Sequence, residues 1–247
     1  MKKILIVILL IMSFCCAFLA SAKTKSYKVE TEPTAETTIS DFILSDDELI
    51  NDEINIDKGK YQIFWSADDL KAEGTVKNRL KEGEWKIYFE DSEGKTVKAR
   101  GNYLKNRKTG LWVTYFENGK VYTRKNYKNG ILNGASYEFS EKGVPLSEVL
   151  YKNGIKDGVF KEYYPDGNPK EISMYSKDQK NGTENLFYPN GKRMSIGQYK
   201  NGSKEGLWKF FYETGIRKSE GKYKQGNKTG KWKNFDENER LLNTEEF

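Results

Sequence analysis

Glycines at positions 110, 134, 158, 182, 206 and 230 stand 24 residues apart. A fixed period of this size marks an array, in which each unit is one supersecondary element that stacks on its neighbours. Gly83 precedes Gly110 by 27 residues, the three extra falling around DSEGKTVKA. Gly59 lies 24 residues before Gly83 and opens a degenerate leading unit, 59–82. Six to seven further units follow, so the array is expected over 59–247. In such a chain a residue that recurs in every unit is architecture before it is chemistry.

Within a unit the order is G-x-W/F-x-x-Y/F-Y/F-x-x-G, then seven or eight polar residues, then Y-x-x-G-x-x-x-G. Trp85, Trp112, Phe160, Trp208 and Trp232 stand two residues after an opening glycine, whereas Ser136 and Glu184 break that position. Three residues further on come Tyr88, Tyr115, Phe139, Tyr163, Phe187, Phe211 and Phe235. Tyr103, Tyr127, Tyr151, Tyr175, Tyr199 and Tyr223 recur seven before the next glycine. Aromatic-rich runs such as WKFFYE favour strands. They end in Asn118-Gly119, Asp166-Gly167 or Asn190-Gly191, where positive φ is tolerated. A more polar return strand such as KRMSIGQY follows, then a Lys-Asn-Gly loop. Helical periodicity is absent from the array. The expected fold is all-β: an elongated single-layer antiparallel β ribbon of tandem β-hairpin repeats. About sixteen strands at ~4.8 Å spacing would run to roughly 75 Å. The recurring glycines are read as turn residues and not as phosphate cradles, since none lies between a strand and a helix.

These units resemble MORN-type repeats, in the 24-residue bacterial variant with the core Y-x-x-G-x-x-x-G-x-W-x-x-Y. The resemblance covers residues 59–247. It implies a repeat scaffold or protein-binding ribbon. Similar proteins are often labelled antitoxin components of bacterial toxin–antitoxin modules, and in eukaryotes such repeats accompany membrane-associated proteins, lipid kinases among them. Inhibition of a partner toxin is therefore one role the resemblance implies.

Residues 1–22 have the layout of a secretory signal: Lys2 and Lys3, an uncharged apolar run, and Ala20-Ser21-Ala22 before the expected cut. Retention as an anchor is the alternative, because the run approaches the roughly 20 residues that span a bilayer. Cys15 and Cys16 both lie in this segment, and the chain has no histidine. The mature chain would thus lack disulfides, thiolate chemistry and imidazole chemistry, and no metal site, cofactor or catalytic residue is expected. Residues 23–58 carry four Lys/Arg against ten Asp/Glu, a net of −6, whereas 36 basic and 26 acidic residues from 59 onward give +10. The acidic stretch reads as a mostly disordered spacer, with a short helix at 46–54 or a strap on the basic repeats as further readings.

The aromatics two and five residues past each glycine are expected to pack hairpin on hairpin. Trp65, Phe89, Phe116, Tyr164, Tyr188 and Tyr212 occupy the next position along, which alternation places on the opposite face. They are the candidates for an exposed binding stripe. Loop lysines, among them Lys128, Lys152, Lys200 and Lys224, either keep sheet edges from pairing or form a basic edge for an acidic partner. The expected function is a secreted, non-enzymatic scaffold that binds a partner protein at the cell envelope. A glycan- or anionic-lipid-binding module is the alternative, and nucleic acid is not expected of an exported chain.

Overall fold

The computed structural model describes residues 54–66, 69–90 and 95–247. The readings of a signal at 1–22, and of a spacer, helix or strap before residue 54, lie outside the described residues. The sheet belongs to the unit Asp46–Phe247. Its strands are β1 (Lys58–Phe64), β2 (Leu70–Lys77), β3 (Leu80–Tyr88), β4 (Val97–Leu104), β5 (Arg107–Tyr115), β6 (Val121–Lys128), β7 (Ile131–Phe139) and β8 (Pro145–Lys152). They continue as β9 (Ile155–Tyr163), β10 (Pro169–Ser176), β11 (Gln179–Phe187), β12 (Arg193–Lys200), β13 (Ser203–Phe211), β14 (Arg217–Lys224), β15 (Asn227–Phe235) and β16 (Leu241–Glu246). Spatial order follows chain order from β1 to β16 in one open antiparallel sheet. The expected all-β ribbon of hairpin repeats is what forms.

Two kinds of turn alternate along it. Even strands pass to odd ones through two-residue turns with φ positive at both residues, as at Asn129 (54°) and Gly130 (83°). That is the type I′ geometry whose twist matches the strands it joins. The second residue of each such turn also bonds backward. Gly130 N donates to Lys108 O at 2.8 Å, and Gly154, Gly202 and Gly226 repeat the contact in later units. Wide turns close the other end, with Phe116 N donating to Lys120 O at 2.8 Å and Gly119 in the left-handed region at φ 78°. The Lys-Asn-Gly segment read as a connecting loop is therefore the tighter hairpin turn, and the ribbon is one continuous meander.

The glycines that set the period are not in turns, which corrects the sequence reading. Each lies inside an odd strand at a bulge. Arg100 pairs with Val113 and Asn102 with Thr109, so Gly101 alone faces Gly110, Leu111 and Trp112. Such insertions bend a strand and re-aim its side chains. Here the bulge lets the Trp112 ring fold onto Gly101. A Cβ on Gly101 would sit 2.3 Å from the ring, and Trp112 Nε1 donates to Asn102 O at 3.0 Å. Trp85 over Gly74, Trp208 over Gly197 and Trp232 over Gly221 repeat the arrangement. Trp85 and Trp208 are fully buried in a sheet one layer thick. The main core cluster joins Trp85 and Trp112 to Ile63, Ala72, Val76, Ile87, Ala99 and Tyr103.

Candidate functional site: the far face of the central repeats

The two faces of the sheet differ in kind. On the tryptophan face the rings are covered by the array's own side chains. Tyr103 meets Trp112 edge-on at 5.0 Å, and Tyr223 meets Trp232 at 5.0 Å. The Lys108, Lys204 and Lys228 ammoniums lie 4.7, 4.3 and 4.5 Å from the Trp112, Trp208 and Trp232 ring centres. Edge-to-face packing and cation–π attraction together close this surface. Burial pushes the Tyr151, Tyr175, Tyr199 and Tyr223 hydroxyls above their ordinary pKa. It also pulls the Lys204 ammonium below its usual value.

In the middle of the same face the pattern changes. Glu184 replaces the tryptophan and Ser173 the glycine beneath it, and both are buried. Lys180 bonds Glu171 at 2.8 Å and also Glu184. Burial works against the Lys180 ammonium, but these two carboxylates overcome it and hold its pKa above the ordinary value. Every strong donor and acceptor in this cluster is met inside the sheet.

The far face is different. Strand alternation puts Leu104, Leu111, Ile131, Leu150, Ile155 and Met174 on it, and each is between 37% and 51% exposed. They are held close to one another by the fold. Leu150 faces Ala135 across β7–β8, Met174 faces Val159 across β9–β10, and a Cβ added to Gly154 would meet Ile131 at 3.0 Å. Basic residues border the strip: Lys128 pairs directly with Ile131 and Lys152 with Ile155. Contiguous exposed apolar surface with a polar rim marks an interaction site on a soluble protein.

Nearer the wide turns, the far face carries Tyr88, Tyr115, Phe139, Tyr163, Phe187, Phe211 and Phe235, three residues and hence one face-switch beyond the tryptophan position. Tyr88 donates to Glu73 at 2.7 Å. That bond lowers the Glu73 pKa, and burial with the same contact raises that of Tyr88.

The residues singled out from sequence divide. Lys128, Lys152, Lys200 and Lys224 are all exposed on the far face beside the tight turns, but only the first two border apolar partners; Lys200 faces Ser203 and Lys224 faces Asn227. Trp65, Phe89, Phe116, Tyr164, Tyr188 and Tyr212 begin the wide turns and are half-buried. Opposite to the aromatic just before them, they are four residues past the tryptophan position and share its face. Their contacts are internal. The Tyr164, Tyr188 and Tyr212 hydroxyls donate to the carbonyls of Phe187, Phe211 and Phe235, each at 2.8 Å, stitching one wide turn to the next. Phe116 packs on Tyr122 at 4.8 Å, while Lys71 covers Trp65 at 4.5 Å and Lys98 covers Phe89 at 5.9 Å. The apolar strip was missed from sequence. Its signal was departure from the repeat: Ile131 and Ile155 stand where other units have Ser203 and Asn227.

The segments 108–129, 132–153, 156–177, 180–201 and 204–225 each match the family model described as a MORN repeat variant. The chain therefore carries five tandem MORN-type repeats, and the far-face strip runs from β4 across the first three, with Ile131 and Ile155 at the junctions between matched segments. Repeats of this kind indicate a scaffold, often one that binds membranes or proteins, and are typically non-catalytic. No curated protein matches the chain. Among the described residues, no group of acidic or sulfur ligands could hold a metal ion, and no helix is long and apolar enough to cross a membrane.

Proposed function

We propose that the protein is an exported, non-enzymatic scaffold that binds a partner protein at the cell envelope through the far face of its central repeats. The observation that carries this reading is the strip from Leu104 to Met174, exposed on a sheet whose other face packs upon itself. The lysine rim at Lys128 and Lys152 favours a partner segment that is apolar with acidic flanks. Export is supported by the signal-like sequence of residues 1–22. A rigid ribbon presenting several weak contacts in fixed register gains affinity by engaging them together.

The test is capture from envelope extract by the purified mature protein, followed by identification of the captured protein and measurement of the purified pair. Replacing Ile131 and Leu150 together by Asp should weaken the pair at least ~10-fold, as loss of an interface anchor does, without lowering the unfolding temperature much. Capture that survives protease treatment of the extract would instead make the ligand a glycan or a lipid. Capture indifferent to the double substitution would remove the strip from the interface.

A further inference from the structure

Arg100 pairs with Val113, and Val113 with Arg124, so the two guanidiniums stand in one row straight across the far face. They are two strands apart, which is about 10 Å at ~4.8 Å per strand. Each lies over the aromatic ring of the following strand: Arg100 at 5.8 Å from Tyr115, Arg124 at 5.5 Å from Phe139. A third arginine in the same setting, Arg217 at 4.3 Å from Phe235, also bonds Glu220 at 3.0 Å. Arg100 and Arg124 have no such carboxylate among the described residues. Glu148, beside Arg124, is engaged by Lys161 at 2.9 Å. Lys86 stands next to Arg100 in the same row, directly across β3–β4, with Glu73 on its other side across β2–β3.

Both arginines open onto hollows floored by rings. One, of about 540 Å³, is lined by Lys86, Lys95, Arg100, Tyr115 and Glu117. The other, of about 240 Å³, is lined by Arg124, Tyr137, Phe139, Pro145 and Tyr163, together with Glu148, whose charge Lys161 meets. Tyr137 and Phe139 lie nearly parallel there, 6.5 Å apart. The first hollow and the second are one repeat apart, so a ligand that fills both must itself repeat at about 10 Å. A β-strand does not, because residues three apart point to opposite sides. A polyproline-II chain does: at ~3.1 Å per residue and three residues per turn, every third side chain recurs on one side after about 9.3 Å. Ring-lined hollows are also the usual receptor for such chains.

We propose that the row Lys86–Arg100–Arg124, with its two ring-floored hollows, receives an extended acidic segment of the partner protein in polyproline-II conformation. A carboxylate at every third residue meets an arginine, and the prolines or other compact apolar side chains between them enter the hollows. This assignment rests on the reading of the far face as the partner surface, and it deepens that reading by naming the ligand's shape and charge.

The test uses labelled peptides and the purified mature protein, with binding followed by fluorescence anisotropy. A Glu-Pro-Pro repeat should bind, and raised salt should weaken it. The substitutions Arg100→Gln and Arg124→Gln, both on exposed side chains, should each weaken it ~10-fold, as loss of a charge-assisted contact does. A Glu-Pro-Pro-Pro repeat, whose carboxylates fall out of step, should bind several-fold less well, and a Lys-Pro-Pro repeat not at all. Equal binding of the two glutamate spacings, tighter binding of a helical peptide with glutamates seven apart, or indifference to both arginine substitutions would overturn the proposal. So would phosphatidylglycerol vesicles that bind through the same arginines while the peptides do not. If the peptides fail but the Ile131→Asp, Leu150→Asp protein still loses its captured partner, the row is not the subsite and the wider reading stands. If the peptides fail and that double variant also captures normally, neither the row nor the strip is the partner surface, and both readings fall.

Discussion

The bulge glycines fall into two groups. Gly83, Gly110, Gly206 and Gly230, in the units that carry tryptophan, have φ between 61° and 71°. Gly134, Gly158 and Gly182, in the three units without one, have φ between 114° and 126°. In the first group the tryptophan crosses onto a glycine in the preceding strand and fills the bulge from its own face. In the second that seat is held by Lys125, Val149 or Ser173, and the bulge is filled from the far side. There Leu150 would touch a Cβ on Gly158 at 2.5 Å, and Met174 one on Gly182 at 2.9 Å. The same two residues are part of the exposed apolar strip. In two of the units that give up their own tryptophan packing, the bulge is thus plugged by a side chain that also faces outward, while the tryptophan units expose Leu111 and Leu207 without using them in this way.

The largest effects should come from filling a tryptophan seat. Gly197→Ala would put a methyl 2.1 Å from two ring atoms of fully buried Trp208. The ring is also fixed by its 3.1 Å bond to Gln198 O, so it cannot step aside cheaply. Overpacking of this kind should cost about 3 kcal/mol, and Trp208→Ala about 3–5 kcal/mol. Ser173→Ala, at the same position of a central unit, loses a 2.5 Å bond to Glu171 and should cost only about 1 kcal/mol. Urea unfolding of the three variants checks this. Equal losses at Gly197 and Ser173 would dissolve the distinction between the two groups.

Part of that distinction was legible in the sequence. The period, the strand runs and the hairpin order follow from glycine spacing and aromatic phase, and the sheet has them. Which glycines bend and which are seats did not follow, because Gly74, Gly101, Gly197 and Gly221 look like turn residues when read one at a time. The clue was relational. Each stands eleven residues before a tryptophan, and where Ser136, Phe160 or Glu184 replaces the ring, Lys125, Val149 or Ser173 replaces the glycine. Bulges hid the pairing, since the insertion of two residues breaks the simple alternation that assigns faces. The strip at Ile131, Leu150, Ile155 and Met174 was invisible for another reason. A search for what recurs passes over positions whose meaning lies in departing from the repeat.

An intermediate effect should follow from giving a central unit the end-unit solution. Ser173→Gly together with Glu184→Trp restores the seat and the ring. It also removes Glu184 from Lys180, which keeps its 2.8 Å bond to Glu171. Exchanging a buried ionic contact for packed apolar surface is commonly stabilising by about 1–2 kcal/mol. A gain of that size would show that the central bulge can adopt the tighter φ, and that its polar cluster is retained at a cost in stability. A loss instead would mean that the wide φ at Gly182, 118°, is imposed by neighbours such as Met174 and not by the missing tryptophan.

The smallest effect separates two adjacent lysines by pH. The Lys180 pKa is raised, so its contribution to stability is fully present below the ordinary value of 10.5 and is lost as pH climbs through the folded one. Tyr175 and Tyr199 act in the same direction from 10.0 upward, because burial keeps both hydroxyls protonated in the folded sheet. Lys204, whose pKa burial lowers, has the opposite sign: its charge opposes folding below that lowered value, and the penalty fades as the ammonium deprotonates. Unfolding temperatures between about pH 8 and pH 11 should therefore fall more gently in Lys180→Met than in the parent. Lys204→Met should raise the neutral-pH value and steepen the fall. Parallel profiles for all three proteins would mean that the carboxylate clamp on Lys180 is no tighter in the folded sheet than in the unfolded chain. The central cluster would then be a solvated surface feature, and the contrast between the two groups of repeats would rest on the tryptophan seats alone.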